Sequence, residues 1–331
     1  MAAAADPAYW IRELRVQDAV KATAPNVLGE IVVRSGFLIA RSSRVTPSVV
    51  EDLVEDLGLL PGGTQFTAHA INDFGIAVGS ANVRTAVRAA LSVRNTLLVD
   101  LGTLPGDTSS EAFSINNFGS VVGSSSGPSG TRAFLMTIAN GMQELGMLAG
   151  ARSSKALAIN DSGLVVGSSQ TPAGTRAVIW QSRNVRDLGT LPGDIASEAM
   201  AVNNVGTVVG YSRGVSSLHA FTWTAQTGMQ ILNPMPGDTN ARALGINDAG
   251  DAVGSSGDAH ETGAVLWNSQ GVPQDLNALA PLPPGIVLLQ AVGINSRGEI
   301  VALGKDETGG HSHEGYDRVF LLAPIAPPQG R

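Results

Sequence analysis

Seven positions spaced through the chain carry the side chains best suited to chemistry: Lys21, Thr67, Glu111, Lys155, Glu198, Arg242 and Gln290. The intervals between them are 46, 44, 44, 43, 44 and 48 residues. Each precedes an Ala in a short stretch that is otherwise small, apolar or Asn, so one polar side chain recurs per unit while its neighbours stay constant. Four consecutive members, Glu111, Lys155, Glu198 and Arg242, alternate in sign. Such a ring either neutralises itself in solvent or orients a small ligand by convergent polar groups. A paired acid and base is the further chemistry that Glu111 and Glu198 offer. His69 stands two residues after Thr67, where most units carry an apolar residue, and histidine is the side-chain type that can change charge near neutral pH. The catalytic candidates are therefore His69, Glu111 and Glu198.

The other histidines point to a metal. His260 is followed by Glu261, and His311, His313, Glu314 and Asp317 share one long polar segment, residues 305–318. His-x-His with nearby carboxylates is a donor set for zinc or a similar ion, and a solvated loop is the plainer reading. The metal-ligand candidates are His260, His311, His313 and Glu314. No cofactor is expected beyond such a divalent ion.

The elements that position these residues follow from a second periodicity. Asn-x-x-Gly-x-x-Val occurs seven times, beginning at Asn26, Asn72, Asn116, Asn160, Asn203, Asn247 and Asn295. A fixed period of this length marks a repeat architecture. Each unit holds four apolar runs of four to six residues, too short and too rich in β-branched residues for helices. They are named A (Ala-x-small-Ile-Asn), B (x-Val-Val-Gly-Ser), C (Ala-Phe-Leu-Trp) and D (ending Asp-Leu-Gly). The Asn-x-x-Gly turn between A and B suits a tight hairpin, since Asn tolerates left-handed backbone and Gly supplies positive φ. Four antiparallel strands per unit describe a propeller blade.

The chain ends agree with closure. Strands A, B and C occur seven times, the last C at 319–322, but the interior supplies six D strands. Tyr9-Trp10-Ile11-Arg12-Glu13-Leu14 occupies the missing D position, ahead of a degenerate first A strand at 22–26. The expected fold is all-β: a closed seven-bladed propeller whose N-terminal strand completes the last blade, with a β-solenoid as the alternative. The domain reading is a tail at 1–8, one propeller at 9–324 and a tail at 325–331. On the face formed by the D–A and B–C loops, the ring residues should surround the channel mouth.

Composition narrows the function. The 331 residues include 15% charged residues, a net charge of −7, 40 Gly and no Cys. Disulfides, thiol chemistry and cysteine metal sites are excluded. The absence of a basic patch argues against nucleic acid, and no apolar run reaches membrane-spanning length. The start, MAAAADPAYW, lacks the basic and long apolar stretches of a signal peptide, which suggests the cytoplasm.

Several motifs read as structure. The Asn-Asp-x-Gly turns lack the alternating ligands and closing Glu of a calcium loop, and Asn117 and Asn204 show the Asp to be dispensable. Gly79, Gly123, Gly167, Gly210 and Gly254 lie inside strand B with no helix behind them. They are expected to permit close packing between blades. Trp180, Trp223 and Trp267 read as core between blades. Residues 123–127 (GSSSG) lack the strand-to-helix context of a nucleophile elbow.

The units resemble the bacterial HAF repeat family, whose members carry a His-Ala-Phe triplet, Asp-Leu-Gly-Thr-Leu-Pro-Gly and Ile-Asn-x-x-Gly-x-Val-Val-Gly. Here His219-Ala220-Phe221 keeps the triplet, Arg132-Ala133-Phe134 and Arg176-Ala177-Val178 replace its His, and DLGTLPGD stands at 100–107 and 187–194. The resemblance spans roughly residues 10–323. It implies a bacterial protein, extracellular or periplasmic, and speaks to fold more than to activity. The functional expectation is a monomeric binding propeller that recognises a small molecule, glycan or protein at the channel mouth. The alternative is an enzyme there, of lyase, hydrolase or ring-forming cyclase or isomerase type.

Overall fold

The computed structural model describes residues 8–14, 19–35, 41–46, 53–93, 98–182, 184–258, 262–308 and 318–325. They form a β-propeller of four-stranded antiparallel sheets, seven of which are present among the described residues. Sheets 1 to 6 are contiguous, at 19–56, 63–100, 109–144, 153–189, 196–232 and 240–275. The seventh combines Ile286–Ile294, Ile300–Asp306 and Arg318–Pro324 with the N-terminal strand Tyr9–Glu13, which pairs in register from Tyr9 opposite Pro324 to Glu13 opposite Phe320. A four-residue helical turn, Leu276–Leu279, joins sheets 6 and 7 and is capped by the Asp275 side chain. The first strand of sheet 1 is Ala19–Ala22, earlier than the 22–26 read from the sequence. Thr23 continues past it by a single backbone bond to Val32.

Strand B is buried along nearly its whole length, as in Val121–Gly127 and Ala252–Gly257. Both of its faces are covered, because the sheets pack face to face against their neighbours. That is why its sequence is a continuous run of small and apolar residues and not an alternation. The core is correspondingly divided into clusters between sheets. One joins Val122 and Ala133 of sheet 3 to Ala156, Val165 and Trp180 of sheet 4. Trp180, Trp223 and Trp267 are all buried there and in the equivalent clusters. Trp180 and Trp267 also donate Nε1–H to backbone carbonyls of Gly146 and Asn233. Each such ring is worth about 2–3 kcal/mol of apolar burial.

The A–B turn repeats one hydrogen-bonding scheme. In the third unit, Asn116 Oδ1 accepts from the amides of Phe118 and Ser120, while Gly119, at φ +75°, donates its amide to the Asn116 carbonyl. A side chain at Gly119 would have open space but a strained backbone. The Asn side-chain amide is then left to reach the next sheet.

Candidate functional site

Strand A carries a β-bulge at the same place in sheets 2 to 6. The register slips between Ala68 and Ala70, Ala112 and Ser114, Ala156 and Ala158, Ala199 and Ala201, and Ala243 and Gly245. The bulge pushes the carbonyl of the preceding ring residue into the paired strand B. A Cβ at Gly210 would lie 2.0 Å from the Glu198 oxygen, and Gly79, Gly123, Gly167 and Gly254 meet the same oxygen of their own units at 1.9–2.0 Å. These glycines therefore serve packing within a sheet, against the expectation that they serve packing between blades. Bulges re-aim side chains, and this one fixes the direction of the ring residue.

Ring positions on sheets 4 to 7 line two adjoining pockets. Lys155 and Glu198 share a pocket of about 270 Å³ with Gln170, Tyr211 and Arg213. Arg242 and Gln290 line an adjoining pocket of about 490 Å³, which Arg213 also borders. The Tyr211 hydroxyl donates to Glu198 Oε2, and the Ser168 hydroxyl donates to Glu198 Oε1 at 2.9 Å. The Arg242 guanidinium lies over the Tyr211 ring, 5.4 Å from its centre. Burial pushes the Tyr211 phenol up to about 12, with further raising by the Glu198 hydrogen bond and charge, against the lowering effect of Arg242 and Arg213.

The alternating ring does not form as ion pairs. Among the described residues, no salt bridge joins Glu111, Lys155, Glu198 and Arg242, although all four stand at the strand-A entries as expected. Thr67 and Glu111 are half-buried and lie outside both pockets, so the two carboxylates Glu111 and Glu198 are not brought together there. His69 sits in the bulge of sheet 2. Its Nδ1 is 3.3 Å from Lys21 Nζ, its Nε2 is 3.1 Å from Ser80 Oγ, and its ring meets Phe113 edge-on at 5.6 Å. It contacts both neighbouring sheets and is distant in the chain from the Tyr211 pocket. The metal candidates His260, His311, His313 and Glu314 lie outside the described residues. No group of three metal-ligating side chains occurs among those that are described.

Tyr211 and Arg213 were not singled out from the sequence. The available signal was a break in the repeat: Tyr211 occupies the strand-B position held by Ser80, Ser124, Ser168 and Ser255 in other units.

The opposite, A–B face is built differently. The Asn side-chain amides of Asn26, Asn72, Asn116, Asn160 and Asn203 each donate to the backbone carbonyl of the next signature Asn, at 2.8–3.1 Å. Asn295 donates likewise to Asn26. A second tier alternates Asp73, Asn117, Asp161, Asn204 and Asp248. Asn117 Nδ2 donates to both flanking carboxylates, Asp73 and Asp161, and Asn204 Nδ2 donates to Asp248. The Asp is thus an acceptor paired with a neighbouring Asn donor, which corrects the reading of it as dispensable. Together the two tiers line a mouth of about 300 Å³.

The triplet residues anchor loops. His219 Nδ1 lies 2.9 Å from Asp194, and Arg132 lies 2.9 Å from Asp107, each pair fixing the D–A loop of its own sheet. In sheet 4 the loop carries Ala151 at the Asp position, and Arg176 turns instead to the Ile195 carbonyl of the next loop, at 2.8 Å.

Solved propellers share this architecture. An inactive variant of virginiamycin B lyase from Staphylococcus aureus, solved with quinupristin, aligns over 96% of this chain and 100% of its own, with a TM-score of 0.57 and 12% identity. The propeller domain of the Trilobed protease from Pyrococcus furiosus aligns over 93% and 94%, with a TM-score of 0.53 and 10% identity. A puromycin-hydrolysing peptidase of Mycobacterium tuberculosis aligns over 89% of this chain and 50% of its own, with a TM-score of 0.51 and 14% identity. At such identities the likeness is one of fold. No protein-family model and no curated protein sequence matches the chain. No helix among the described residues is long and apolar enough to cross a membrane.

Proposed function

We propose that the chain is a seven-bladed, ring-closed propeller of the HAF repeat type that binds a small polar molecule on its D–A/B–C face, in the paired pockets around Tyr211. The observation that carries this is a contrast between the two faces. On the A–B face the polar side chains are spent on one another, in two tiers of hydrogen bonds between sheets. On the D–A/B–C face, two adjoining concavities meet at Arg213, and their polar groups converge on open space. Concave sites with a few fixed polar groups are the usual form of small-molecule sites.

Binding is favoured over the enzyme alternative by the state of the central pair. A phenol held near 12 is a weak acid at neutral pH, and its carboxylate partner is already engaged by two hydroxyls. Proton transfer works best when the group's pKa lies near the working pH. Ring closure is supported by the N-terminal strand in sheet 7 and by the shared core of Leu14, Ile31 and Val33 with Val301 and Leu321.

The test is a fragment screen followed by protein-observed NMR. Hits should shift resonances of Tyr211, Glu198 and Arg242 and leave Asn72 and Asn116 unmoved. Hits confined to the A–B mouth, or none at either face, would sink the reading.

A further inference from the structure

Lys155, Arg213 and Arg242 border the paired pockets, and among the described residues none of them has a salt bridge or a hydrogen-bond partner. This is unusual for a chain of net charge −7. Elsewhere its arginines are used: Arg132 on Asp107 and Glu144, Arg297 on Glu299, and Arg318 on Glu13 and Asp306. The carboxylates in the same linings are Glu198 and Asp258. Glu198 is occupied by the Tyr211 and Ser168 hydroxyls, and Asp258 is an exposed residue at the end of its strand.

Arg242 is also held in place. Its guanidinium lies over the Tyr211 ring, and the phenol at the other end of that ring is tied to Glu198. Contact with the ring face restrains the guanidinium and leaves its N–H groups unused, and an unused guanidinium is suited to receiving a carboxylate or phosphate. Arg213 stands between the two pockets, so one anionic head can meet both arginines while the rest of the molecule occupies either concavity.

Resting on the binding reading above, we infer that the ligand is an organic anion, its carboxylate or phosphate held by Arg213 and Arg242 and its polar body lying against Lys155, Gln170 and Tyr211. The pockets, at about 270 and 490 Å³, accommodate more than an inorganic ion.

A matched series tests this: glucose, glucuronate, glucose 1-phosphate and inorganic phosphate, titrated against the full chain by NMR of the arginine Nε–H resonances and by calorimetry. The expected result is saturable binding of glucuronate or glucose 1-phosphate, with whichever binds identifying the head group. Affinity should fall about tenfold or more in R213A and in R242A, and hold in R297A on the opposite face. Glucose binding as tightly as the anions, unaffected by either arginine variant, overturns the anion and leaves the pocket. Inorganic phosphate binding as tightly as glucose 1-phosphate means an adventitious ion only, and also overturns it. If none of the four binds while the fragment screen still finds the pocket, this inference alone fails; silence in both experiments removes the binding reading with it.

Discussion

Asn295 donates its side-chain amide to the backbone carbonyl of Asn26, 2.8 Å away and 269 positions earlier in the chain. The bond is the same one that links Asn72 to Asn116 and Asn116 to Asn160. The residue at the end of the array therefore treats the first unit as its next neighbour. Replacing Asn295 by Ala removes this bond, the second donation from Asn295 Nδ2 to the Glu299 carboxylate, and the two amides that Asn295 Oδ1 receives from its own turn. The expected cost is about 1–3 kcal/mol, the range for stranding buried polar groups. Hydrogen exchange separates the two effects. Faster exchange should reach Ile31–Ser35 in sheet 1 as well as Ile300–Asp306, and exchange confined to the last sheet would remove the link across the junction.

Gly210→Ala tests the bulge. The new Cβ would sit 2.0 Å from the Glu198 carbonyl, an atom that the bulge cannot withdraw without moving the strand. A loss of about 3 kcal/mol or more is expected, at or beyond the upper end of ordinary overpacking. Gly102→Ala meets no neighbouring atom and carries only its positive φ of +78°, so it should cost about 1–2 kcal/mol. Urea titration of both variants checks the order. Equal losses would mean that a small shift relieves the close approach, which would then not explain the strand-B glycine.

The repeat made the strands legible, because a unit that must turn, pair and pack identically each time repeats the residues that do so. Asn116, Gly119 and Trp180 could be read this way. The bulge could not: it lies in backbone geometry, and its trace in the sequence, Gly123 opposite Ala112, is equally consistent with a close contact between sheets. The charged ring was visible as positions but not as partners. Whether Glu198 meets Arg242 or Tyr211 depends on side-chain direction, which a period of about 44 residues does not encode. Tyr211 was visible only as a departure from Ser, and the alternation of Asp73, Asn117, Asp161, Asn204 and Asp248 only once each was seen to touch the next sheet.

Arg132→Ala should be among the more damaging polar substitutions. Its guanidinium faces Asp107, whose side chain is 1% exposed, and one oxygen of that carboxylate already lacks a partner. Removing the cation leaves a buried charge uncompensated, which costs about 3 kcal/mol or more. The double variant Arg132→Ala with Asp107→Ala should recover a substantial part of the loss. A thermal denaturation cycle of the four proteins measures this. Additive losses would show that the two side chains act independently and that the D–A loop is held by something else.

Tyr211 makes stability depend on pH on the alkaline side, with a sign that follows from its environment. Burial, and then the Glu198 hydrogen bond and charge, raise the phenol from its ordinary value of 10.0 to about 12 in the folded protein. Between those values the folded chain holds a proton that the unfolded chain has released. The associated stabilisation is therefore complete below about pH 10 and is lost as the pH rises through about 12. Tyr9, also raised by burial, contributes in the same direction. Glu198→Gln removes the charge and keeps a hydrogen-bond acceptor, so the phenol should titrate lower in that variant while burial still holds it above 10.0. Tyrosine ring carbon shifts followed by NMR from pH 8 to 12 would resolve Tyr211 in both proteins. An unchanged titration in Glu198→Gln would assign the whole shift to burial and leave the pair without an electrostatic role.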